Sequence, residues 1–77
     1  MPTVHFDPFA GIITVKVDEI DFNTLCLKNA DGELVQSIIT NSREAKIDLK
    51  SHPSGKYKVE VNGVAAENSE VILWNKP

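Results

Sequence analysis

The sequence predicts an all-β fold, an antiparallel β-sandwich of about seven short strands in a single domain over residues 1–77. Three observations carry this. Apolar residues alternate with polar ones at a period of two, the pattern of strands with one face buried and one face wet. Turn-forming residues interrupt these runs about every ten residues. No segment sustains a helical period, and "AAEN" at 65–68 is too short for more than one helical turn.

The elements follow in order. "TVHF" at 3–6 supplies a short edge strand, and Asp7-Pro8 after it disfavours helix at Asp7, because a residue before proline is pushed out of the helical region. In "GIITVKV" at 11–17, Ile13, Val15 and Val17 share one face. "TLCLK" at 24–28 and "ELVQSII" at 33–39 are β-rich with less clean alternation. Between them Asp31-Gly32 is a hairpin signal. "TNSRE" at 40–44 is a polar loop. In "AKIDLK" at 45–50, Ile47 and Leu49 alternate with Lys46, Asp48 and Lys50. In "KYKVEV" at 56–61, Tyr57, Val59 and Val61 alternate with Lys56, Lys58 and Glu60. Asn62-Gly63 is a further turn, and "EVILWN" at 70–75 is the last strand.

The stretch "SHPSG" at 51–55 reverses the chain before Tyr57. Pro53 fits the second position of a type I turn across His52–Gly55, because its ring fixes φ near about −65°. Tyr57 is then the first inward residue of the next strand. Three roles are open to it. Its hydroxyl can turn back onto backbone a few residues upstream, as a tyrosine corner. It can be a plain half-buried side chain. It can contact a ligand.

Composition narrows the function. Apolar residues make up 42% and charged residues 25%, which excludes wholesale disorder. The net charge is −3, divided as −4 over residues 1–38 and +1 over residues 39–77, which does not suit a phosphate backbone and argues against nucleic acid. Cys26 is the one cysteine, so no internal disulfide forms, and it reads as a small, partly buried side chain. No apolar run is long enough to span a membrane, and no stretch reads as a signal peptide.

The residues that carry chemistry are scattered. His5 alternates with apolar neighbours, His52 sits in a turn and Cys26 lies mid-strand, with no nucleophile motif around any of them. One cysteine and two distant histidines give no zinc set. In "VDEIDFN", Asp18, Glu19, Asp21 and Asn23 offer hard oxygen ligands, but the spacing is not that of a calcium loop, so this reads as a solvated acidic turn. Four scattered glycines and no helix exclude a phosphate cradle. No catalytic residue, metal ligand or cofactor is therefore assigned, and the chain reads as a non-enzyme. The aromatics Phe6, Phe9, Phe22, Tyr57 and Trp74 read as core, with a sugar-stacking platform led by Trp74 as the alternative.

Taken together, these motifs resemble the C-terminal sorting domains of the type IX (Por) secretion system. They also resemble the related small Ig-like domains of exported Bacteroidota proteins. "DPFAGIITVKV" at 7–17 matches the family's opening loosely, and "LKNADGELVQS" at 27–37 matches its "N-x-x-G-x-x-V" segment. "IDLKSHPSGKYKVEV" at 47–61 matches "I-D-L-x-x-x-P-S-G-x-Y-x-V-x-V" closely, and "EVILWNKP" matches the last strand weakly. The likeness covers roughly residues 7–75. The chain departs from the pattern where Asp7 stands for the usual asparagine and His52 for the usual leucine. The resemblance implies an Ig-like sandwich and an exported, non-catalytic sorting or protein-interaction module, read by export machinery or a protein partner through strand edges and the last strand. The alternatives are a small exported module binding glycan or peptide, and a stand-alone structural domain.

Overall fold

The computed structural model describes residues 2–18, 22–66 and 72–76. Among them it has eight strands: β1 (Thr3–Asp7), β2 (Ile12–Lys16), β3 (Asn23–Asn29), β4 (Leu34–Thr40), β5 (Glu44–Asp48), β6 (Gly55–Val61), β7 (Val64–Ala65) and β8 (Ile72–Trp74). They make two antiparallel sheets, as expected for a β-sandwich. One has the order β1-β2-β5, and the other runs β4-β3-β6. Beyond β6 the edge is shared. β7 pairs with Glu60 and Val61, and β8 pairs with Gly55, Lys56 and Tyr57.

The alternation in sequence becomes alternation in burial. Ile13 and Val15 of β2 and Ile47 of β5 point inward from the first sheet, and Leu25, Leu27, Val59, Ile72 and Trp74 point inward from the second. With Val4, Leu49, Tyr57, Val61 and Ala66 they form one apolar cluster. Burying each aliphatic side chain contributes about 1.5–3 kcal/mol. Val17, predicted on the inner face, packs against this cluster while partly exposed.

Side-chain oxygens shape the turns between strands. Asp7 Oδ1 accepts hydrogen bonds from the backbone N–H groups of Phe9 (3.0 Å) and Ala10 (3.2 Å), so the aspartate that replaces the family's asparagine still supplies the acceptor that shapes this turn. Asn29 Oδ1 accepts from Asp31 and Glu33, each at 3.0 Å, at the β3–β4 hairpin. Thr40 Oγ1 accepts from Ser42 N–H (3.2 Å), and Asp48 Oδ1 accepts from Lys50 N–H (2.8 Å). Short polar side chains compete with the strand ladder for backbone groups in this way, and so they end strands.

Three details differ from expectation. The hydrogen-bonded turn before β6 lies earlier than His52–Gly55: His52 N–H donates to Leu49 O at 2.9 Å. Asp48 favours that position because its carboxylate folds the chain back at once, leaving Pro53 to carry the approach to β6. The imperfect alternation of "ELVQSII" is a β-bulge. Leu27 pairs with Gln36 but Lys28 pairs with Leu34, so Val35 is the extra residue. Finally, Asn62 (φ 53°) and Gly63 (φ 84°) form a tight turn that sends the chain straight back as β7, adding a two-residue strand. Asn62 tolerates this conformation because β3 holds it: Asn62 Oδ1 accepts from Thr24 N–H (2.9 Å) and Asn62 N–H donates to Thr24 O (2.9 Å).

Candidate functional site

The most distinctive stretch, residues 49–61, proves to be an anchor. Tyr57 is 5% exposed, and its hydroxyl donates to Pro53 O at 2.6 Å. Of the three roles open to it, the backbone corner is the one observed. Burial raises its pKa above 10.0, because the ionised phenolate is poorly solvated there. The donated bond to a carbonyl also needs the proton in place.

His52 is built into the same anchor. Its Nε2 lies 2.9 Å from Gln36 Oε1 on β4, and its ring centroid is 6.1 Å from that of Tyr57. Its carbonyl accepts the Trp74 indole N–H at 3.2 Å. One loop residue thus touches β4, β6 and β8.

Trp74 overturns the expectation of a sugar-stacking platform led by that residue. It is 2% exposed and meets Phe6 edge-on, with centroids 6.3 Å apart at 85°. Gly11 (φ 68°) packs against its ring so closely that an added Cβ would lie 2.8 Å from the indole Cη2. Beyond β8, Lys76 N–H donates to Ser54 Oγ at 2.8 Å. The aromatics expected in the core divide. Trp74 and Tyr57 are buried and Phe6 is half-buried, while Phe9 is 99% and Phe22 is 71% exposed. Phe9 follows β1 and Phe22 precedes β3, at opposite ends of β2, so these two do not form one platform.

The remaining candidates stay apart. His5 is exposed on the outer face of the β1-β2-β5 sheet. Cys26 is a partly buried free thiol on the outer face of the other sheet, opposite Glu60 and Ser37, with the core between it and His5. Of the acidic loop, Glu19 and Asp21 lie outside the described residues, and Asn23 Oδ1 accepts from Asn62 Nδ2 at 2.9 Å. No group of three or more His, Cys, Asp or Glu side chains among the described residues could hold a metal ion. No helix among them is long and apolar enough to cross a membrane.

What is left for recognition is surface. On the outer face of the β4-β3-β6 sheet, Glu60 lies between two lysines, at 3.0 Å from Lys28 and 3.9 Å from Lys58. Lys28 and Lys58 pair directly across β3 and β6, so the carboxylate relieves a like-charge contact. A depression of about 460 Å³ opens at one pole between Val17, Phe22, Val61 and Val64. A smaller one of about 240 Å³ lies beside Tyr57, between Ala30, Val35 and Pro53. Exposed apolar side chains gather along β4, where Leu34, Val35 and Ile39 all face solvent. Sequence alternation alone did not single out this strand, because the bulge at Val35 breaks its period.

Fold and anchor together define a class: a small two-sheet β domain, with its last described strand pinned by a tryptophan and its sixth strand entered past Pro53, whose carbonyl accepts from a corner tyrosine. The chain matches the family model of the secretion system C-terminal sorting domain over residues 4–74, and it belongs to that family. Comparison with curated proteins and with solved structures finds no significant match.

Proposed function

We propose that the chain is a non-catalytic sorting module, carried on an exported protein and read by export machinery through its strand edges and last strand. The family match over residues 4–74 carries this reading. The structure supports it in kind. The distinctive residues Pro53, Tyr57 and Trp74 make internal contacts, whereas the open features are backbone edges and surface side chains suited to protein recognition. The sheet orders, with crossings between sheets after β2, β4 and β5, support the Ig-like assignment. The single apolar cluster fed by both sheets supports one folding unit over residues 1–77.

The test is export of a reporter fused to this chain in a host with a type IX system. Removing "EVILWNKP" at 70–77 deletes β8 and its tryptophan anchor. Loss of the reporter from the medium and cell surface, with the fusion still made, is the expected outcome. Undiminished export of the truncated fusion would count decisively against a sorting role.

A further inference from the structure

In the sorting role proposed above, the last strand is a contact for the export machinery, yet β8 shows a reader little of itself. Ile72 and Trp74 are buried, and each of its three residues pairs with β6. Leu73 is the side chain that remains, 53% exposed on the outer face of the sheet and directly across from Lys56. Residues two apart on a strand share a face, so Lys58 stands beside Lys56. Lys28 lies across from Lys58, and Leu34, 57% exposed, lies across from Lys28. Over β8, β6, β3 and β4, three lysines therefore sit between two exposed leucines.

Folding does not ask for this arrangement. Like charges directly opposite on neighbouring strands oppose pairing, and Lys28 and Lys58 are so placed. Glu60 is the single carboxylate on the strands of this sheet, 3.0 Å from Lys28 and 3.9 Å from Lys58, and Lys56 has no ion pair among the described residues. The other sheet is built differently. Its strands carry Asp7, Lys16, Glu44, Lys46 and Asp48, a balance of −1, and Lys16 meets Glu44 across the ladder. The strands of the lysine-bearing sheet carry a balance of +2 in a chain whose net charge is −3. We infer that the export machinery docks on the outer face of β3, β6 and β8, through a protein surface that sets carboxylates against Lys56 and Lys58 and an apolar spot against Leu73. Charge complementarity selects an acidic partner. Salt screens exposed charges beyond about 8 Å, and the molecule measures 34 × 23 × 19 Å, so a partner on this face meets the lysines rather than the net charge. A balance of +2 falls short of the about four to eight basic residues that mark an anionic-lipid site, so a protein is the occupant that fits. The inference rests on the sorting role and names the face that serves it.

The test uses the same reporter fusion. Lys56→Glu with Lys58→Glu should lower export by roughly tenfold or more, because each reversal sets like charges across the join. Leu73→Ser should lower it severalfold. Lys16→Glu with Lys46→Glu makes the same change in net charge on the other sheet and should leave export unchanged. The melting temperature of each purified chain shows which variants keep the fold, and only those are compared. Lys56→Gln with Lys58→Gln, a milder pair, should lower export severalfold and serves where the reversal unfolds the domain. Export at the wild-type level from a folded Lys56 and Lys58 variant, while removal of residues 70–77 abolishes export, overturns the docking face and leaves the sorting role standing. Equal losses from the reversals on the two sheets also overturn it, since net charge alone would then be acting. The purified chain is also mixed with vesicles of phosphatidylethanolamine and phosphatidylglycerol, where no co-sedimentation is expected. Co-sedimentation that the Lys56 and Lys58 reversal abolishes would make a bilayer the occupant and overturn the protein partner.

Discussion

The loop at residues 49–54 and the edge strand β4 are joined by the His52–Gln36 bond, yet they are built on opposite principles. In the loop and the strands it anchors, distinctive side chains are used up internally. The Tyr57 hydroxyl, the Trp74 indole N–H and the Lys76 N–H all end on atoms of residues 52–54. Along β4 the side chains are ordinary, and among the described residues the strand pairs on one side only, with β3. A conspicuous motif therefore marks where the chain is held together, and an inconspicuous strand leaves Leu34 and Ile39 on the surface.

Substitutions can break or sharpen that contrast. The largest effect is expected from Trp74→Ala, which removes a fully buried ring, its edge contact with Phe6 and the anchor of β8. A loss of about 3–5 kcal/mol in urea unfolding is expected. A loss below about 1 kcal/mol would mean that β8 contributes little to the fold.

Gly11→Ala should come next. Its positive φ penalises any side chain, and the added methyl meets the indole. A loss of roughly 1–3 kcal/mol is expected. The double variant Gly11→Ala, Trp74→Ala tests the origin of that loss, because the steric part should vanish when the ring is gone.

Tyr57→Phe removes one hydrogen bond and should cost about 1 kcal/mol at neutral pH. The same residue predicts an alkaline effect. Its pKa is raised in the folded state, so the unfolded chain releases its proton first as pH climbs. Its contribution is fully present below about pH 10 and is lost as pH rises through the folded-state value. Stability of the wild-type chain should therefore fall above pH 10 more steeply than that of Tyr57→Phe, as chemical denaturation at stepped pH would show. Parallel curves would mean that the hydroxyl is not held as described.

The smallest effect belongs to the edge. Ile39→Lys, at a largely exposed position, should change the stability of the monomer by no more than about 0.5 kcal/mol. A much larger loss would show that β4 supports the core as well as the surface.

Much of this was legible in one dimension. Period-two alternation needs only the geometry of a strand, so Ile13, Val15, Ile47, Leu49, Val59 and Val61 declared the core without any partner in view. Turn chemistry is likewise local, and Asp7, Asp31-Gly32 and Asn62-Gly63 fall at turns where expected. The tyrosine corner was also within reach, because donor and acceptor are four residues apart.

Other features depend on residues far apart in the chain. Trp74 was a candidate for exposure only because its cover is remote: Gly11, Phe6 and the carbonyl of His52 close over it after both sheets have met. The bulge at Val35 exists only in the register of β4 against β3. Whether an edge is open depends on which strands lie beside it, and no single strand carries that information. Local backbone physics let the sequence by itself determine strands, turns and the inward face. Long-range packing decided which aromatics were buried and which strands lie at the sheet edges among the described residues.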